Sequence, residues 1–135
     1  MNLKEIMQLP DVMPKEQLEE YFTKYLDSIE GTDKLNNLEI LESLSELADR
    51  QVYTYELLND TLRNRVDKFV QKLWDTTSVD LVDVYSYVVI NLSLKKSYEL
   101  MKSSLNLELE EKVRKIIEET IDEVGEDIEV PFKMN

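Results

Sequence analysis

The sequence predicts an all-α chain, either a short right-handed α-solenoid or a helical bundle of about six helices. Three observations predict it. Two glycines and three prolines in 135 residues leave little material for hairpins and tight turns. Apolar residues recur at helical spacing through most of the chain. Stripes of that kind also repeat at an offset of 32 residues. The length fits a single domain over 1–135, with 1–13 as an N-terminal arm and 126–135 as an extended C-terminal tail.

The first long helix opens at Pro14, whose missing N–H costs nothing in a first turn. Leu18, Tyr21, Phe22, Tyr25, Leu26 and Ile29 then form one continuous stripe, and Gly31 ends it. Thr32 or Asp33 caps the next helix, which carries Leu35, Leu38, Leu41, Leu44, Leu47 and Ala48. Its other face holds Glu39, Glu42, Glu46 and Asp49. A third helical stretch spans Tyr53 to Trp74, and Asn59-Asp60-Thr61 is a point at which it could break.

Asp75-Thr76-Thr77-Ser78 reads as a stop and restart, with Ser78 as N-cap. Leu81 to Leu92 is rich in β-formers. The spacing of Leu81, Val84, Tyr85, Val89 and Leu92 is nonetheless helical, and a lone strand would find no partner in this chain. A helix over 93–105 follows, and a last one runs from about Leu107 to Val124 and stops at Gly125.

The repeat pairs whole helices. Leu81, Val84, Tyr85, Val89 and Leu92 recur as Val113, Ile116, Ile117, Ile121 and Val124, and Val66, Phe69 and Leu73 recur as Tyr98, Met101 and Leu105. A period in the thirties built of two antiparallel helices suits units that stack to share one core. Two amphipathic helices of an ordinary bundle would share similar stripes, so both architectures stay open. Residues 94–125 resemble a HEAT-type repeat, through Met101-Lys102-Ser103-Ser104-Leu105, the link, Val113-Arg114 and Asp122-Glu123-Val124-Gly125. The resemblance extends over 66–125. The family's first-helix proline is absent, and Asn106 stands where its link aspartate would be. HEAT-like folds are scaffolds for other macromolecules, so the resemblance implies binding and identifies no partner.

Composition narrows the function. The chain has no cysteine and no histidine, which removes disulfides, thiolate metal sites and the commonest general base. No stretch is apolar enough for a signal peptide or a membrane span, so a cytoplasmic location is expected. The net charge is −13, with 12 acids and 5 bases over 1–50, 7 of each over 51–105, and 10 acids and 4 bases over 106–135. Such a field repels nucleic acid and anionic membrane and steers basic partners.

One carboxylate constellation resembles a metal-dependent enzyme. Glu16-x-x-Glu19 followed by Glu46-x-x-Asp49 on paired helices is similar to the all-α NTP pyrophosphatases, a resemblance that would imply magnesium ions gripping phosphates. If the helices pair by their apolar faces, these acids point outward and apart. Glu108, Glu110 and Glu111 suit the positive end of the last helix rather than a metal. No catalytic, cofactor or metal residue is therefore expected.

Binding has better candidates. Tyr21, Tyr25, Tyr85 and Tyr98 fall on apolar stripes, and Trp74 is expected to sit between layers. Tyr87 falls on a less apolar side, beside Asp83 and Asn91 at i−4 and i+4. Bases concentrate on the first helices of the pairs (Arg63, Arg65, Lys68, Lys72, Lys95, Lys96, Lys102), and acids on the last helix (Glu118, Glu119, Asp122, Glu123). The expected partner surface is Asp83, Tyr87, Asn91, Glu118, Glu119 and Asp122. The expected function is a protein-binding helical-repeat module with a basic protein partner, such as an immunity or inhibitor protein, working as monomer or homodimer without a cofactor. A self-assembling structural protein is the alternative.

Overall fold

The computed structural model describes residues 2–31, 36–125 and 128, and among them 73% helix and no strand are found. Seven α-helices follow one another: α1 (Leu3–Met7), α2 (Lys15–Ile29), α3 (Asn37–Val52), α4 (Asp60–Gln71), α5 (Val79–Leu92), α6 (Lys95–Ser103) and α7 (Glu111–Val124). A turn of 3-10 helix, Ser104–Asn106, closes α6.

Odd and even helices separate into two rows. α1, α3, α5 and α7 touch in that order, and so do α2, α4 and α6. The rows meet where α2 packs on α3 and where α6 packs on α5 and α7. The helices matched at the 32-residue offset are thus row neighbours, α4 beside α6 and α5 beside α7. Between the rows lies one core, in which Leu18, Phe22, Leu26, Leu41, Leu44, Leu47, Tyr85, Leu92, Tyr98 and Met101 are fully buried. Full burial of each such side chain removes roughly 1.5–3 kcal/mol worth of apolar surface from water.

Local chemistry fixes most helix ends. Asn36, Asn59 and Ser78 accept from N–H groups of the first turns of α3, α4 and α5. Thr32, Asp33 and Leu35, the expected cap and first stripe residue of α3, lie outside the described residues. α2 ends at Ile29 with Glu30 as C-cap, so Gly31 follows the end rather than making it. The β-formers of α5 do not prevent a helix. Leu81, Val82, Tyr85, Val88, Val89 and Leu92 are all buried, and that burial outweighs propensity losses of a few tenths of a kcal/mol per residue.

The structure departs from expectation in three places. The expected arm over 1–13 contains α1, which packs on α3; Ile6 and Met13 are buried, and the Arg50 guanidinium donates to the carbonyls of Leu9 (2.9 Å) and Met7 (3.4 Å). A segment that buries apolar side chains and spends its carbonyls on an internal cation is docked. The stretch expected as a helix from Tyr53 to Trp74 is a turn over 53–59 followed by α4. Gln51 and Thr54 take the backbone of that turn into their own hydrogen bonds, and Asn59 restarts the helix. The last helix starts at Glu111 rather than near Leu107, so Glu108 and Glu110 precede its first turn. The expected C-terminal tail lies outside the described residues apart from Ile128, which is buried.

Bonds between row neighbours lock the even row. Glu19 of α2 accepts from the backbone N–H (2.9 Å) and the side-chain amide (2.8 Å) of Asn59 at the start of α4. Asp67 of α4, 6% exposed, accepts from the backbone N–H of Lys96 (3.0 Å) and Ser97 (2.8 Å) and from the Ser97 hydroxyl (2.5 Å). Leu94 at the α6 N-cap offers no side-chain acceptor. Asp67 therefore caps a helix to which it does not belong, satisfying donors that would otherwise be orphaned. The Trp74 indole, set against Tyr85 at 4.4 Å between centroids, donates to Ser104 (2.8 Å) and so links the end of α4 to α5 and α6. The Asp67→Ala variant is expected to lose about 2–3 kcal/mol in urea unfolding, because buried donors at the α6 N-terminus lose their acceptor. An unchanged midpoint would remove Asp67 as the cap.

Candidate partner-binding face

The α3–α5 contact decides which side chains reach water along the odd row. α3 buries Ile40, Leu41, Ser43, Leu44, Leu47, Ala48, Arg50 and Gln51, and α5 buries seven residues, so each helix keeps only a narrow polar strip. On α3 this strip presents Glu46 and Asp49; on α5 it presents Asp83, Tyr87 and Asn91. The Tyr87 hydroxyl donates to Asp49, and the Asn91 side-chain amide donates to the Tyr87 carbonyl (2.8 Å). The strips therefore lie side by side.

Two shallow cavities meet at Tyr87 and Asn91. The first, of about 380 Å³, is lined by Asp11, Glu46, Asp49, Arg50, Val52, Tyr53, Tyr87 and Asn91. The second, of about 360 Å³, is lined by Asp83, Ser86, Tyr87, Ile90, Asn91, Ile116, Glu119, Thr120 and Glu123. Together they make a groove across α3, α5 and α7. Its lining holds the carboxylates of Asp11, Glu46, Asp49, Asp83, Glu119 and Glu123 against the single cation Arg50. Arg50 is 3% exposed and already bonded to Glu46 at 3.1 Å. The groove is therefore electronegative, with an aromatic ring at its centre.

Partial burial first, and then the Asp49 carboxylate that accepts its proton, push the Tyr87 phenol up to about 12. At neutral pH Tyr87 is thus a fixed donor to Asp49. Its ring is 41% exposed and stands where a ligand's cation or apolar group would meet it.

Of the six residues expected to contact a partner, Asp83, Tyr87, Asn91 and Glu119 come together in this groove. Glu118 and Asp122 do not. Both are exposed on α7 and neither lines the groove: Glu118 is turned by more than a quarter of a helical turn from Ile116, Glu119, Thr120 and Glu123, and Asp122 lies about one turn beyond Glu119. Sequence reasoning missed Asp11, because 1–13 was read as an arm, and Tyr53, because 53–74 was read as helix. Glu46 and Asp49 were visible as a water-facing strip, but nothing local placed α3 next to α5.

Three of the four carboxylates that resemble the pyrophosphatase pattern take separate partners. Glu16 is exposed, Glu19 accepts from Asn59, Glu46 pairs with Arg50, and Asp49 accepts from Tyr87. Among the described residues no three carboxylates are grouped so as to hold a metal ion, and no helix is long and apolar enough to cross a membrane. No family model, no curated protein and no solved structure matches this chain.

The Tyr87 phenol gives a pH signature. Its folded-state value lies above the usual value of 10, so the bond to Asp49 stabilises the fold fully below pH 10 and loses that effect as pH rises toward 12. Tyr87→Phe is expected to be slightly less stable than wild type at neutral pH and to converge with it at the alkaline end. Its tyrosinate absorbance titration should also lack one late-ionising phenol. A variant in which the lost absorbance belongs to a phenol ionising near 10 rather than to a late one would contradict the Tyr87–Asp49 bond.

Proposed function

We propose that this chain is a protein-binding module of helical-repeat, HEAT-like α-solenoid organisation, and that its α3/α5/α7 face takes a basic protein partner. In concrete form it acts as an immunity or inhibitor protein in the cytoplasm, covering the cationic surface of a toxin or a nucleic-acid enzyme. The observation that carries this reading is the groove centred on Tyr87, where carboxylates from three successive helices of one row converge and the only cation among the described lining residues, Arg50, is paired with Glu46. The alternating rows and the 32-residue match between α5 and α7 support the repeat organisation.

Physical chemistry links this face to such a role. A field of one sign in a low-dielectric groove steers an oppositely charged protein and raises the association rate, which an inhibitor needs in order to outrun its target's damage. α4 and α6 carry more bases than acids, and there Arg65 pairs with Asp27 (2.6 Å) and Glu30 (2.9 Å), Arg63 with Asp60 and Lys102 with Glu99, whereas acids outnumber the bases Lys112, Arg114 and Lys115 on α7. The two rows therefore differ in charge, which orients a basic partner toward the odd one.

The test uses a partner recovered on the immobilised chain and then purified. Replacing Asp49, Asp83 and Glu119 by Lys is expected to slow association by at least about ten-fold and to flatten its salt dependence. Light scattering of the isolated chain should show a monomer or dimer of fixed size. A partner that binds the triple variant at the wild-type rate, or concentration-dependent growth into larger assemblies, would displace this reading in favour of self-assembly.

A further inference from the structure

The turn between α3 and α4 carries two tyrosines that the fold does not use. Tyr53 is 55% exposed and Tyr55 76% exposed. Tyr55 also adopts φ 58, a left-handed conformation that bulky side chains rarely take. Burial of the ring does not offset that conformation, since most of it faces water. Strain of this kind persists only where the surroundings over-determine it, and it clusters at ligand clamps and binding sites.

The surroundings here do over-determine it. Gln51, 1% exposed, donates from its side-chain amide to the Glu56 carbonyl (2.6 Å) and to the Thr54 hydroxyl (3.1 Å). The Thr54 hydroxyl donates to the Gln51 carbonyl (2.7 Å) and accepts from the Glu56 N–H (3.2 Å). A buried side chain thus holds the backbone that carries the two exposed aromatic rings in one arrangement. Rings presented on a backbone fixed in advance spare the loop-ordering cost of binding, which suits an interface anchor.

The position of the turn identifies what it would meet. Tyr53 shares the first cavity with Tyr87, Asp49, Glu46 and Asp11, and Glu56, exposed at the other end of the turn, makes only a long, solvent-exposed ion pair with Lys15 at 3.9 Å. Aromatic faces flanked by carboxylates suit a guanidinium, which stacks on the ring while its edge donates to the acids.

We infer that the Tyr53–Glu56 turn is a preformed aromatic anchor for an arginine-bearing segment of the protein partner. The inference rests on the reading of the α3/α5/α7 groove as the surface for a basic partner and adds where, and through which cation, the segment is held.

An oligoarginine peptide and an oligolysine peptide of equal length serve as probes, titrated into the full chain and followed by amide NMR. Oligoarginine is expected to bind more tightly than oligolysine and to shift the amides of the turn together with those of Asp49 and Tyr87. The Tyr53→Leu/Tyr55→Leu variant should lose about five-fold in oligoarginine affinity, while Tyr53→Phe/Tyr55→Phe keeps it. Tyr55→Gly should bind more weakly yet melt about 3 °C higher, because the backbone strain is relieved. Wild-type affinity in the Leu variant, or a lowered Tm in Tyr55→Gly, overturns the inference. Shifts along the groove with a silent turn overturn the anchor and leave the groove reading intact. Shifts spread evenly over all the acidic helices overturn both.

Discussion

The apolar faces of α3 and α5 meet in the most extensive contact between any two of the described elements, and its consequence reaches well beyond stability. Each helix also packs on its other neighbours, α3 on α1 and α2, α5 on α6 and α7, so most of its circumference is committed to the core. What remains is one strip per helix. The same close approach that hides Leu41, Leu44, Tyr85 and Val89 brings Asp49 to Tyr87 and sets Glu46, Asp83 and Asn91 along one groove. Core packing and surface chemistry are thus two results of one constraint.

Bonds between neighbours in the rows make that arrangement specific. Apolar stripes alone would allow adjacent helices to slide by a turn, because dispersion and burial are non-directional. Asp67 against the α6 N-terminus, Glu19 against Asn59, and Arg50 against the carbonyls of Met7 and Leu9 are directional and sit at helix ends, where a shift of one turn would break them. Arg50 illustrates the economy of the design. It closes the α1–α3 contact from inside while Glu46 neutralises it, so the groove beside it stays negative. Its Nε has no hydrogen-bond partner among the described residues, a buried donor outweighed by the bonds that the rest of the guanidinium makes.

Much of this was legible in the sequence. The stripe from Leu18 to Ile29, the cap at Ser78 and the helical state of Leu81–Leu92 all follow from spacing and local chemistry, whereas the break near Asn59 stays open on pattern alone. The self-comparison identified row neighbours because α5 and α7 begin 32 residues apart, at Val79 and Glu111. The same comparison was blind to α3 and α5, which begin 42 residues apart, at Asn37 and Val79, because the turn over 53–59 lengthens that interval. Of the six expected contact residues, Asp83, Tyr87 and Asn91 fall together in the groove because they share one helical face. Glu118 and Asp122 were chosen for charge alone, without regard to the side of α7 on which they fall. Asp11, Asp49 and Tyr53 required tertiary proximity, which pattern does not encode. The turn was obscured for a further reason: Tyr55, Leu58 and Leu62 have the spacing of a helix, and the bonds of Gln51 and Thr54 turn the backbone aside.

The central claim is that the odd row, and specifically its α3/α5/α7 groove, is the surface on which a partner lies. Hydrogen–deuterium exchange of the full chain, with and without its purified partner at saturating concentration, tests it most directly. Protection on binding is predicted for the groove-lining segments around Asp49 to Tyr53, Asp83 to Asn91 and Ile116 to Glu123, with α2 and α4 unchanged. Protection confined to α2, α4 and α6, with the groove exchanging as in the free chain, would contradict it.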